Sequence, residues 1–133
     1  MKTVWKLLIG AIAVVIVAIV VLVISVELYR HNGPPAQERY AREVALKPLL
    51  ESHANRKQVE QVLELTFLDY SVGSSNRWGL EAFLSRESTN VLVRVREGVA
   101  RYPGVFYHTT MDTMTWVFFD SEGKLQNYYV CGQ

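Results

Sequence analysis

Apolar and polar positions follow three different rhythms along this chain. Leu7 to Val26 is one unbroken apolar run with no charged residue in it. At about 1.5 Å per residue, roughly twenty helical residues cross a hydrocarbon core of about 30 Å. The pattern therefore predicts a membrane-spanning helix over residues 7–28, preceded by a short basic N-terminus at residues 1–6. Trp5 and Tyr29 bracket the run, where amphipathic rings favour the headgroup layer. Residues 29–35 include Gly33, Pro34 and Pro35 and read as a stiff spacer that ends the helix.

Residues 36–133 carry mixed rhythms. Tyr40 and Val44 among alternating charges suggest a helix from Ala36 to about Leu46, ended or kinked near Pro48. Asn55 with Gln58 three residues later forms a capping box for a second helix, with Val59, Val62 and Leu63 on its apolar face. Phe67 to Val72 reads as a short strand, and Trp78 to Arg86 as a short helix with Trp78, Ala82 and Phe83 on one face. Val91, Val93 and Val95 alternate with Arg94 and Arg96, which predicts a half-buried strand. Tyr102-Pro103-Gly104 is a turn. Thr113–Phe119 and Leu125–Cys131 flank Asp120–Lys124, whose Gly123 suits a hairpin turn. The order predicts an α+β domain, with two or three helices packed on a three- or four-stranded antiparallel sheet.

Composition narrows the class. The chain has 133 residues, with 14 Lys+Arg against 13 Asp+Glu and a net charge of +1. No bulk field points to nucleic acid or an acidic substrate. With a single cysteine, Cys131, no intrachain disulfide exists. The apolar run exceeds the 7–15 residues of an ordinary signal peptide, although small residues around Ser25 leave cleavage as an alternative. No cysteine follows the run to accept a lipid, which excludes a lipoprotein anchor. Lys2 and Lys6 before the run and Arg30, Arg39 and Arg42 after it nearly balance. A very short basic N-terminus favours the cytoplasm, so the expected address is the inner (plasma) membrane, single-pass, with the C-terminal domain on the extracytoplasmic side.

The capped helix Asn55–Leu63, the following Tyr70-Ser71 and the closing Phe119-Asp-Ser-Glu-Gly-Lys-Leu125 turn occur in that order. In this they resemble the BamE-like (SmpA/OmlA) group of small envelope domains. The resemblance covers about half of the chain and implies helices against an antiparallel sheet and a scaffolding role in the bacterial cell envelope. Two features depart from it. That group is typically lipidated at an N-terminal cysteine, where this chain has a membrane helix, and the Trp78–Arg86 stretch has no counterpart. It transfers no binding residue.

Residues with chemistry are sparse. His31, His53 and His108 show no metal-ligand spacing, and no metal, cofactor or small-molecule substrate is inferred. Cys131 is read as a core residue; a thiol enzyme pairing it with a histidine is an alternative. Asp120 and Glu122 lack the rest of a calcium loop and fit turn chemistry, while Glu60 and Glu64 read as a solvated helix face. The aromatics are more telling. Alternation puts Trp116 and Phe118 on one side of the hairpin and Phe119 on the other, with Tyr128 and Tyr129 also opposed. Helices covering both faces is the preferred reading; otherwise Trp116, Phe118, Phe119, Tyr128 and Tyr129 form a partner-binding face. The functional expectation is a non-catalytic binding or scaffolding protein, with the bilayer and another envelope protein as partners. A membrane-tethered inhibitor or immunity-type protein is the alternative. Alkaline phosphatase fused after Gln133 is expected to be active in a bacterial host; a silent fusion there reverses the orientation.

Overall fold

The computed structural model describes residues 1–132, and their side chains apart from that of Phe83. The chain divides into two compact units, Met1–Gln37 and Glu38 onward.

The first unit is dominated by α1, Lys2–Asn32, with no buried residue. Its most apolar window has a mean hydropathy of 3.6, long and apolar enough for a membrane span. Gly33 separates α1 from α2 (Pro34–Glu51). Its N–H donates to Tyr29 O at 2.9 Å, and a Cβ there would lie 2.2 Å from that oxygen, so only glycine fits. The expected Gly/Pro spacer is thus reduced to one residue. Pro34 and Pro35 start α2, because first-turn N–H groups need no helical partner and the fixed proline φ is already helical.

In the second unit α2 runs through Pro48, beyond the predicted stop. An interior proline costs roughly 3 kcal/mol. Here Pro48 lies one turn from the end, and continuing the helix buries Leu49 and Leu50 beside the fully buried Leu46. Tertiary packing overrides local preference. α3 (Arg56–Leu63) has the predicted capping box: Gln58 N donates to Asn55 Oδ1, and Asn55 N to Gln58 Oε1, both at 2.9 Å. Val59 is buried and Leu63 half-buried, but Val62 is exposed. Glu60 is not merely solvated. Its carboxylate accepts from Arg56 Nε at 3.1 Å and from Phe67 N at 3.0 Å, fixing the chain as it enters the sheet.

Four antiparallel strands follow in the order β1-β2-β3-β4: Leu68–Asp69, Gly104–Thr109, Thr113–Phe119 and Leu125–Gly132. Between β1 and β2 lie α4 (Arg77–Leu84) and α5 (Thr89–Arg101). The strand predicted at 91–96 is therefore part of a helix. The alternating valines also satisfy a helical period: Val91, Val95 and Gly98 are buried at i, i+4 and i+7, while Val93 is exposed. α4 also turns differently from expectation. Leu80 and Leu84 face the core, whereas Trp78 and Ala82 are exposed; the side chain of Phe83, expected on that face, lies outside the described residues. The predicted strand at 67–72 shrinks to two residues.

The closing hairpin is as expected. Asp120 accepts from the N–H groups of Glu122 and Lys124 at 2.9 Å and from Gln126 Nε2 at 2.8 Å, and Gly123 takes φ +73°. Lys124 and Glu122 hydrogen bonds hold the Asp120 carboxyl below its ordinary pKa. Every residue of β3 is buried, and both faces of the sheet are covered. Met114, Trp116, Phe118 and Cys131 pack with Leu80 and Leu84 of α4 and Val91 and Val95 of α5. Val117, Phe119, Leu125 and Val130 pack with Leu46 of α2 and Val59 of α3.

Gly98 sets the spacing of α5 on the sheet. A Cβ there would approach Phe118 Cε1 to 2.2 Å. In an open helix Gly→Ala stabilises by about 1 kcal/mol. Here Gly98→Ala is expected to destabilise by about 1–3 kcal/mol through overpacking, seen as a lower denaturant midpoint of the full chain.

Candidate interaction surface

The five aromatics weighed as a partner-binding face divide by burial. Trp116, Phe118 and Phe119 are at most 2% exposed and cannot meet a partner without unfolding the sheet. They are structural: Trp116 stacks on Phe118 with ring centroids 6.4 Å apart, and Tyr70 meets Trp116 edge-on at 5.4 Å. Tyr128 and Tyr129 are half-buried on opposite faces, with the Arg94 guanidinium 5.0 Å from the Tyr129 ring centroid.

Cys131 is buried and donates to the Met114 carbonyl at 3.6 Å. Burial pushes its thiol up to about 11, the opposite of what a nucleophile needs. His108 pairs with Thr115, and Cys131 with Met114. Adjacent residues of β3 point to opposite faces, so the sheet itself separates the imidazole from the thiol. His53 is exposed at the far end of β4, close enough to act on Asp120; six strand residues, roughly 20 Å, separate that end from Cys131. Among the described residues no group of His, Cys, Asp or Glu could hold a metal ion.

A polar cluster lies inside the sheet–α2 layer. Arg42 is 6% exposed; its Nη1 donates to Thr115 Oγ1 at 2.8 Å, and its Nη2 to the Glu38 carboxylate. Glu38 and Arg42 are one helical turn apart, so α2 delivers an ion pair onto the hydroxyl of a wholly buried threonine. A buried cation without such partners costs several kcal/mol. His108 is nearby, its Nδ1 buried without a hydrogen-bond partner and its ring 6.4 Å from Phe67. Burial first, then Arg42, push the His108 imidazole below its usual value of 6.5, while Glu38 acts the other way.

The surface around α4 is of a different kind. Trp78 is 85% exposed and Val72 89%, and both line a hollow of about 500 Å³ with Gly73, Arg77 and Glu81. The loop leading into it is ordered by Asp69, whose carboxylate accepts from Ser71 N at 2.9 Å and Ser71 Oγ at 2.8 Å, and by Gly73 at φ +96°. On the other side of the same helical turn, Leu68, Gly79, Leu80, Tyr107 and Met114 line an apolar groove of about 350 Å³. α4 thus presents an apolar ridge between two depressions. Sequence reasoning noticed Trp78 but turned it inward, because its spacing with Ala82 looked like a core stripe.

No family model, curated protein or solved structure matches this chain.

His108 makes stability depend on pH. Its folded pKa lies below the unfolded value, so the unfolded chain binds the proton more readily. Stability is full above about pH 6.5 and falls as pH drops through the folded pKa. Denaturant midpoints of the full chain are expected to fall between pH 7.5 and 5, and His108→Phe to flatten that dependence. An unchanged slope in the variant would remove His108 as its source.

Proposed function

We propose that this protein is a single-pass, membrane-anchored binding domain of the bacterial cell envelope, acting on the extracytoplasmic side without catalysis. It binds another envelope protein through the α4 ridge. The observation that carries this reading is the exposure of Trp78 beside Val72 in a domain whose sheet aromatics are otherwise packed. Contiguous apolar surface next to a hollow favours a partner that inserts a side chain, and tryptophan is among the residues that most often dominate binding energy. Cys131, deep in the core and with its thiol pushed up, supports a structural rather than a reactive role. The layered arrangement of helices on an antiparallel sheet is compatible with a BamE-like scaffold in which α1 replaces the lipid anchor.

Affinity capture of the full-length chain from solubilised envelope is expected to recover a reproducible protein partner. Trp78→Ala should weaken that complex by about 30-fold, the equivalent of a hot spot of roughly 2 kcal/mol. Because Trp78 packs on little, its stability cost should stay within about 0.5 kcal/mol. Val72→Asp should act in the same direction. A complex indifferent to both substitutions places the binding surface elsewhere, and a one-to-one complex with an enzyme whose activity is lost identifies an inhibitor.

A further inference from the structure

Between α4 and α5 lies a third depression, of about 320 Å³, floored by Tyr70. α4 contributes Arg77 and Glu81, at i and i+4 and hence on one stripe, and Ser85 follows just beyond its end. α5 contributes Leu92, Val95, Arg96 and Val99, again one stripe at i, i+3, i+4 and i+7. The charges are arranged unevenly. Tyr70 donates its hydroxyl to Glu81, and Arg77 Nε lies 3.7 Å from the same carboxylate, with its guanidinium 5.5 Å from the Tyr70 ring centroid. Glu81 is therefore already satisfied. Arg96 has no carboxylate within 4 Å among the described residues. With Arg77 set against Glu81, one guanidinium, that of Arg96, is left in excess at the mouth, beside Tyr70 and the half-buried side chains of Leu92 and Val99.

We propose that this groove binds a small anionic amphiphile, with a carboxylate or phosphate head on Arg96, flanked by Arg77, and a short apolar tail along Leu92 and Val99. Arginine suits such a head because its planar donors meet two oxygens at once. The volume is at the lower end of small-molecule sites, roughly 300–1,000 Å³, so it takes a head with a short chain rather than a whole lipid. Such a ligand comes either from the bilayer, as the headgroup end of an anionic lipid, or from a free amphiphile. The groove shares Arg77 and Glu81 with the hollow beside Trp78, but Trp78 lines only the hollow and Arg96 only the groove, so Trp78→Ala and Arg96→Gln let the two proposals fail separately.

The test uses the 15N-labelled full chain in phosphatidylcholine nanodiscs, titrated with octanoate, octanol or inorganic phosphate and followed by backbone amide shifts. Octanoate is expected to shift Tyr70, Glu81, Arg96 and Val99 saturably. Arg96→Gln should weaken it by about tenfold, the loss of one charge-assisted contact. Leu92→Trp, which fills the groove, should abolish the response while the β3 amides keep their positions. In nanodiscs containing phosphatidylglycerol, shifts present before titration assign the source to the bilayer; their absence assigns it to a free amphiphile. The proposal is overturned if octanol acts like octanoate (partitioning only), or if phosphate alone reproduces the shifts (an adventitious ion only). It is equally overturned if Arg96→Gln changes nothing or if no probe shifts these amides.

Discussion

The structure depends on a strand that must be hidden on both sides. Thr113–Phe119 has no polar face to give to water: Trp116 and Phe118 project one way, Val117 and Phe119 the other, and all seven residues are buried. A sheet built around such a strand needs two helical layers. α4 and α5 supply one, and α2 with α3 the other. That demand explains local choices that look unfavourable alone. α2 continues through Pro48 because stopping would expose Leu49 and Leu50, and α5 tolerates Gly98 at mid-helix because Phe118 occupies the space of its side chain.

Covering both faces also decides where interaction is possible. Trp116, Phe118 and Phe119 are used up in the core. Arg42, the only buried cation among the described residues, is tied to Thr115 and Glu38, and Cys131 sits beyond reach of both domain histidines, His108 across the sheet and His53 at the far end of β4. Among the surfaces left available are α4 with its approach loop, where Trp78 and Val72 stand free, and the groove that α4 makes with α5. Both belong to the layer inserted between β1 and β2. The inward residues of these two helices, Leu80, Leu84, Val91 and Val95, belong to the core, while Trp78 and Arg96 face outward.

Much of this was legible in the residues. The long apolar helix at the N-terminal end, the Asn55–Gln58 capping box, the hairpin around Gly123 and the opposed faces of Trp116 and Phe119 follow from local chemistry and period. The errors share one origin. At residues 91–96 a valine-rich segment satisfies periods of 2 and 3.6 alike, and only the burial of Gly98 under Phe118, a contact distant in sequence, decides for helix. Losing α5 hid the stripe of Leu92, Val95, Arg96 and Val99, and with it the groove. Trp78 was turned inward for a related reason, since among the described side chains of α4 it is Leu80 and Leu84 that face the core. Pro48 misled because proline rules describe an isolated chain, whereas here packing supplies the deciding energy.

The central claim is that the core aromatics hold the sheet while α4 meets the partner. Photo-crosslinking in intact cells tests it most directly, with a photoreactive residue placed singly at Val72, Trp78, Tyr128 or Tyr129 of the full-length protein. The account predicts a discrete crosslinked product from positions 72 and 78 and none from 128 and 129. Crosslinks confined to the tyrosines of β4, or none at 72 and 78, would contradict it.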